Sequence, residues 1–126
     1  MDATERMEIE LPLEPESAQR ARRAIDPLEA QADASSFDDV RLLVSELVCD
    51  ALATDPRPAN GVITMEAKVS GGVTQVTVRF NGMRLRLPAT KPKPAEPGWG
   101  VYLVQTLATR WGARRASGST YVWFEA

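Results

Sequence analysis

Histidine is absent from this chain of 126 residues, and cysteine occurs once. Without histidine there is no Ser-His-Asp or Cys-His catalytic group, and the usual zinc sites are excluded. One cysteine, Cys49, cannot form an internal disulfide, which fits a reducing compartment. No charge sign dominates: 15 Lys and Arg stand against 17 Asp and Glu, for a net charge of −2. Phosphate binding needs a surplus of basic residues, so direct nucleic-acid contact is not expected. Lysine itself is scarce, with Lys68, Lys91 and Lys93 beside a majority of arginines. No apolar run approaches the length of a membrane span. The start, Met1-Asp2-Ala3-Thr4-Glu5, is acidic and polar, unlike a signal peptide. The expected location is cytoplasmic, with no membrane partner.

The remaining composition is that of a globular domain: 44% apolar and 25% charged. The length predicts one domain over residues 1–126, with residues 1–6 as a flexible lead-in. Such a chain can bury most of its apolar surface without a covalent staple.

Met7 to Leu13 alternates apolar and polar residues and reads as a strand ended by prolines. Glu14-Pro15-Glu16-Ser17 has the marks of a helix start. Ala18, Ala21, Ala24 and Ile25 then form one side of that helix, with Arg20, Arg22 and Arg23 around the other. Asp26-Pro27 interrupts the pattern, and Leu28 to Ala34 can resume it. Ser36 followed by Asp39 predicts the cap of a second helix, which ends near Thr54 before Asp55-Pro56. Its apolar stripe is Val40, Leu43, Val44, Leu47, Val48, Ala51 and Leu52. Cys49 is read as a small buried hydrophobe of this helix.

A hairpin follows, turned at Gly71-Gly72, with Ile63 to Val69 and Val76 to Phe80 as its alternating arms. Asn81-Gly82 breaks the second arm. Arg84 to Pro97, rich in proline and lysine, reads as an irregular loop. Gly98-Trp99-Gly100 opens a third helix, whose face is expected to carry Val101, Val104, Leu107, Ala108 and Trp111, with Gly112 as its C-terminal cap. A last hairpin turns at Ser117-Gly118-Ser119. The order predicts an α+β fold: a two-layer sandwich with helices on one face of a mixed, mostly antiparallel sheet.

Three segments could carry chemistry. Glu46 and Asp50 stand one helical turn apart, where like charges repel by about 0.2–0.5 kcal/mol. They are either a solvated flank, or a pair able to hold Mg²⁺ or to act as a base. Gly98 and Gly100 precede a helix whose first N–H groups attract anions. They match no dinucleotide fingerprint, since the third glycine is missing. Phe80-Asn81-Gly82, taken alone, is a turn after a strand.

In order and spacing, these three segments resemble the histidine-kinase-like ATPase domain, the Bergerat fold of the GHKL superfamily. The similarity is strongest to its small bacterial anti-sigma-factor serine kinases, and it runs from about Ile9 to the C-terminus. Val40 to Val48 resembles the asparagine-box helix. Gly98 to Val104, followed by Leu107 to Gly112, resembles the second glycine box and its helix, and Val122 to Glu125 fits the family's ending. The resemblance implies ATP and Mg²⁺ as cofactors. Glu46 would be the catalytic base and Asp50 the Mg²⁺ ligand. Asp50, Phe80, Gly82, Gly98, Gly100 and Thr120 would be pocket positions. The implied partners are a sigma factor or an anti-anti-sigma antagonist, with a second copy of the chain as a further candidate.

Two positions depart from the family pattern. Asp50 stands where the family has Asn, and Phe80 where it has the Asp that accepts the adenine amino group. Phenylalanine has no acceptor, which leaves that amino group unpaired at a cost of about 1–3 kcal/mol. A register shifted by one would put Asn81 there instead. The leading expectation is therefore a transcription regulator that binds proteins and has impaired ATP binding. The alternatives are an active protein-serine kinase, and a binder of a non-nucleotide ligand in a pocket remodelled by Phe80, Met83 and Trp99.

Overall fold

The computed structural model describes residues 5–126. Five strands and three α-helices follow in the order β1 (Glu5–Pro12), α1 (Glu16–Ile25), a 3₁₀ turn (Asp26–Gln31), α2 (Ala34–Leu52), β2 (Val62–Ser70), β3 (Val73–Asn81), α3 (Trp99–Leu107), β4 (Arg110–Ala116) and β5 (Ser119–Glu125). The strands form one sheet of order β1-β2-β3-β5-β4, antiparallel at every pairing. The fold is α+β, as the element order predicts. Of residues 1–6, expected to be flexible, 1–4 lie outside the described residues, while Glu5 and Arg6 already pair with Val69 and Lys68. Among the described residues, no helix is long and apolar enough to cross a membrane.

Alternation in the strands fixes which face is covered. Leu11, Ile63, Met65, Val69, Val76, Val78, Phe80, Val122 and Phe124 are buried on one side. The stripe of α2 packs with them: Val40, Leu43, Val44, Leu47, Val48 and Ala51 are all buried. Each such aliphatic side chain contributes about 1.5–3 kcal/mol when fully buried. Phe37 and Leu28 extend this core toward the 3₁₀ turn. On the other face no helix among the described residues covers the sheet, and polar residues alternate outward.

Four local expectations are corrected. The cap of α2 is Asp33, not Ser36: its carboxylate accepts from the Ser35 N–H at 3.0 Å and from the Ser35 hydroxyl at 2.8 Å. Cys49 is exposed, because it lies one residue past the stripe and so about 100° off its axis. Partial desolvation and the Glu46 and Asp50 charges push its thiol pKa up, so it is no activated nucleophile. The segment after Asp26-Pro27 continues as a 3₁₀ turn rather than an α-helix. Finally, α3 ends at Leu107, and Trp111 and Gly112 belong to β4. Gly112 is no helix cap there. A Cβ at this position would collide with the Trp123 indole Nε1, so only glycine lets that ring lie across the edge strand.

Candidate functional site

α2 and α3 meet at close range, and Gly100 is the reason. A Cβ on Gly100 would collide with the Glu46 carbonyl oxygen and come within 3.0 Å of Asp50 Oδ2. The first turn of α3 is thereby laid directly against the Glu46–Asp50 ridge. Asp50 is 3% exposed. Its Oδ1 accepts the Gly98 N–H at 3.2 Å, and its Oδ2 accepts the Val101 N–H at 3.0 Å. Gly98, at φ 97°, starts α3 without a capping side chain of its own. Asp50 supplies that cap from another helix.

The first N–H groups of a helix carry partial positive charge and have no partner within the helix. They are met here by a buried carboxylate. Burial pushes the Asp50 carboxyl up to about 6 from 3.8; the bonds from Gly100, Val101 and Gly98 act against that rise, and the Glu46 charge adds to it. Asp50 is therefore no wet helix flank. Glu46, one turn earlier, is half-buried and takes part in none of the ion pairs among the described residues.

Phe80 is fully buried, paired across the sheet with Ile63 and Thr120. It faces the helices as part of the core. Asn81 faces the opposite way: its amide donates to the Val62 carbonyl at 2.9 Å and to the Thr64 hydroxyl at 3.1 Å. The shifted register thus puts Asn81 on the side of the sheet away from α2.

Thr120 is also fully buried. Its hydroxyl donates to the Met83 carbonyl at 2.8 Å and accepts the Leu85 N–H at 3.0 Å. The Gly82 N–H donates to the Ser119 hydroxyl at 3.0 Å, and Arg115 Nη2 donates to the Leu85 carbonyl at 2.7 Å. The first residues after β3 are thus stitched along the end of the sheet. Met83 and Leu85 are buried there, and Arg84 and Arg86 are exposed. Arg84 to Pro97 is irregular, as expected, with its first residues anchored to the sheet. The alternation Met83-Arg84-Leu85-Arg86-Leu87 was the available signal.

The structure brings Asp50, Gly98 and Gly100 together, and separately Phe80, Gly82 and Thr120 with the Met83–Leu85 segment. A groove of about 410 Å³ lies beside them, lined by residues 54–58 and 82–84. Glu46, Asp50, Phe80, Gly98, Gly100 and Thr120 are not among the residues that line it. The pocket expected from Phe80, Met83 and Trp99 is not formed by those three. Met83 borders the groove, Phe80 is core, and the Trp99 ring sits 5.5 Å from that of Tyr102. Among the described residues, no group of three or more His, Cys, Asp or Glu side chains could hold a metal ion.

No curated protein sequence matches the chain significantly. Among solved structures it is similar to the RsbU and RsbW domains of Rv1364c from Mycobacterium tuberculosis, with 20% sequence identity and a TM-score of 0.72. That likeness covers 96% of this chain and 32% of the other, so this chain spans about a third of that protein's length. At that identity it speaks for the fold. The family model described as the histidine kinase-like ATPase domain matches residues 11–125. The chain therefore belongs to the histidine kinase-like ATPase domain family.

Proposed function

We propose that this chain is a regulator of the anti-sigma-factor type that acts by binding proteins, with Asp50 standing where a nucleotide phosphate would otherwise be held. One observation carries this reading: both oxygens of a buried Asp50 are bonded at the N-terminus of α3, to the N–H groups of the cap residue Gly98 and of Val101. An incoming phosphate would have to displace that carboxylate or sit beside it. Two unit charges 4 Å apart repel by about 4 kcal/mol at the effective dielectric of a protein surface. Micromolar binding is worth only about 8 kcal/mol in total. With its carboxyl at about 6, Asp50 can escape that repulsion by taking up a proton for about 1.4 kcal/mol at pH 7, so the larger obstacle is that its oxygens already hold the Gly98 and Val101 N–H groups.

The other pocket positions support the same reading. Phe80 offers no acceptor and is locked in the core. The Thr120 hydroxyl already has two backbone partners. These residues do not fit Mg-ATP. What remains is a rigid two-layer scaffold with large solvent faces, suited to a sigma factor or an anti-anti-sigma antagonist.

Titration calorimetry of the purified chain with Mg-ATP tests the reading. No heat of binding is expected up to millimolar nucleotide, and micromolar affinity would overturn it in favour of a protein-serine kinase. A parallel titration with a sigma factor or antagonist domain from the same genome is expected to show binding without nucleotide.

A further inference from the structure

The uncovered face of the sheet is chemically divided. On β3, β5 and β4 the register places Arg79, Tyr121 and Arg114 in one cross-strand row. The Arg79 guanidinium carbon lies 5.4 Å from the Tyr121 ring centroid, and that of Arg114 lies 4.2 Å from it. The next row holds Trp123 over Gly112, with the Arg110 guanidinium carbon 5.7 Å from the indole. Arg110 is also within 3.5 Å of Glu125. Arg79 and Arg114 have no ion pair among the described residues. On β1 and β2 the same face carries both signs with acids in the majority: Glu8 stands directly opposite Glu66 and Glu10 opposite Thr64, with Arg6 opposite Lys68 at the far end.

We propose that the Arg79–Tyr121–Arg114 row and Trp123 form a docking surface for an acidic segment of a partner protein. It rests on the protein-binding reading above for its purpose, but not for its geometry. A guanidinium held flat on an aromatic ring keeps its N–H fork open at the edge, ready for a carboxylate. Two guanidinium contacts also restrict the Tyr121 ring before a partner arrives, which lowers the entropy lost on binding. The two aromatic rings are half-buried on a face that no helix among the described residues covers, where a solvated sheet face alternates polar residues outward. Charge complementarity selects the occupant. A long nucleic-acid strand crossing the face would run onto Glu8, Glu10 and Glu66, which outnumber Arg6 and Lys68 there. A short acidic peptide would engage the arginine corner alone.

The test is an NMR titration of the full chain, without nucleotide, using an oligo-glutamate peptide. An oligo-lysine peptide and oligo-thymidylate serve as comparison probes. Shifts confined to Arg79, Arg114, Tyr121 and Trp123 are expected. Arg79→Gln with Arg114→Gln should weaken binding about tenfold, as expected for losing two exposed charged pairs. Replacing Arg20, Arg22 and Arg23 on α1 by Gln should leave it unchanged. Shifts that map to α1, tighter binding of oligo-thymidylate, or self-association that covers this face would each overturn the proposal. If the double variant fails to fold, Arg114→Lys decides the matter. That variant keeps the charge and loses the planar fork, so weaker binding supports the proposal and unchanged binding overturns it. Because no nucleotide is present, a failure here is distinct from a failure of the Mg-ATP result.

Discussion

Replacing Asp50 by Asn removes a buried charge while keeping the side chain's shape, and the consequence depends on pH. Burial raises the Asp50 carboxyl from 3.8 to about 6, outweighing the backbone bonds to it. A shift of about 2 units, at 1.36 kcal/mol per unit, corresponds to about 3 kcal/mol. The folded state holds the proton more tightly than the unfolded chain does. Stability from this group is therefore fully present below pH 3.8 and is lost as pH rises through about 6. The carboxamide of the Asp50→Asn variant cannot titrate. The difference in unfolding free energy, wild type minus Asp50→Asn, should then fall by about 2.4 kcal/mol between pH 4 and pH 7. Urea unfolding of both proteins across that range measures it, and the subtraction cancels every other titrating group. A difference that stays flat, or that rises with pH, would refute the reasoning.

Gly100→Ala should gain about 1 kcal/mol in helix propensity and lose more, because its methyl meets the Glu46 carbonyl; a net loss in urea midpoint is expected. Thr120→Val should cost about 1–3 kcal/mol by orphaning the buried Leu85 N–H and Met83 carbonyl, and should speed hydrogen exchange at the Leu85 amide. Gly112→Ala should lift the Trp123 indole off β4, seen as a red-shifted tryptophan emission with a stability loss of about 1–3 kcal/mol.

What could be read from the sequence divides along the range of the interactions. The α2 stripe and the Gly71-Gly72 hairpin are local periodicities, and the structure follows them. The end of α3 was not legible. Leu107, Ala108 and Trp111 continue a helical spacing, yet pairing with β5 draws Arg110 onward into the sheet. The cap of α2 is ambiguous in sequence: Ser36 and Asp39 offer a plausible box, while Asp33 bonds to Ser35 one turn earlier. At the candidate site, spacing alone left Asp50 open between a solvated flank and a ligand. Its actual partners, Gly98 and Val101, lie 48 and 51 residues further along the chain. Only the close approach allowed by Gly100 brings them together.

Asp50 already occupies the anion-binding end of α3, and on that point the functional reading turns. Amide NMR of Gly98, Gly100 and Val101 during a Mg-ATP titration tests it most directly. These three signals are expected to stay in place up to millimolar nucleotide and to move only as Asp50 titrates near pH 6. Saturable shifts of the same amides at micromolar Mg-ATP would contradict it.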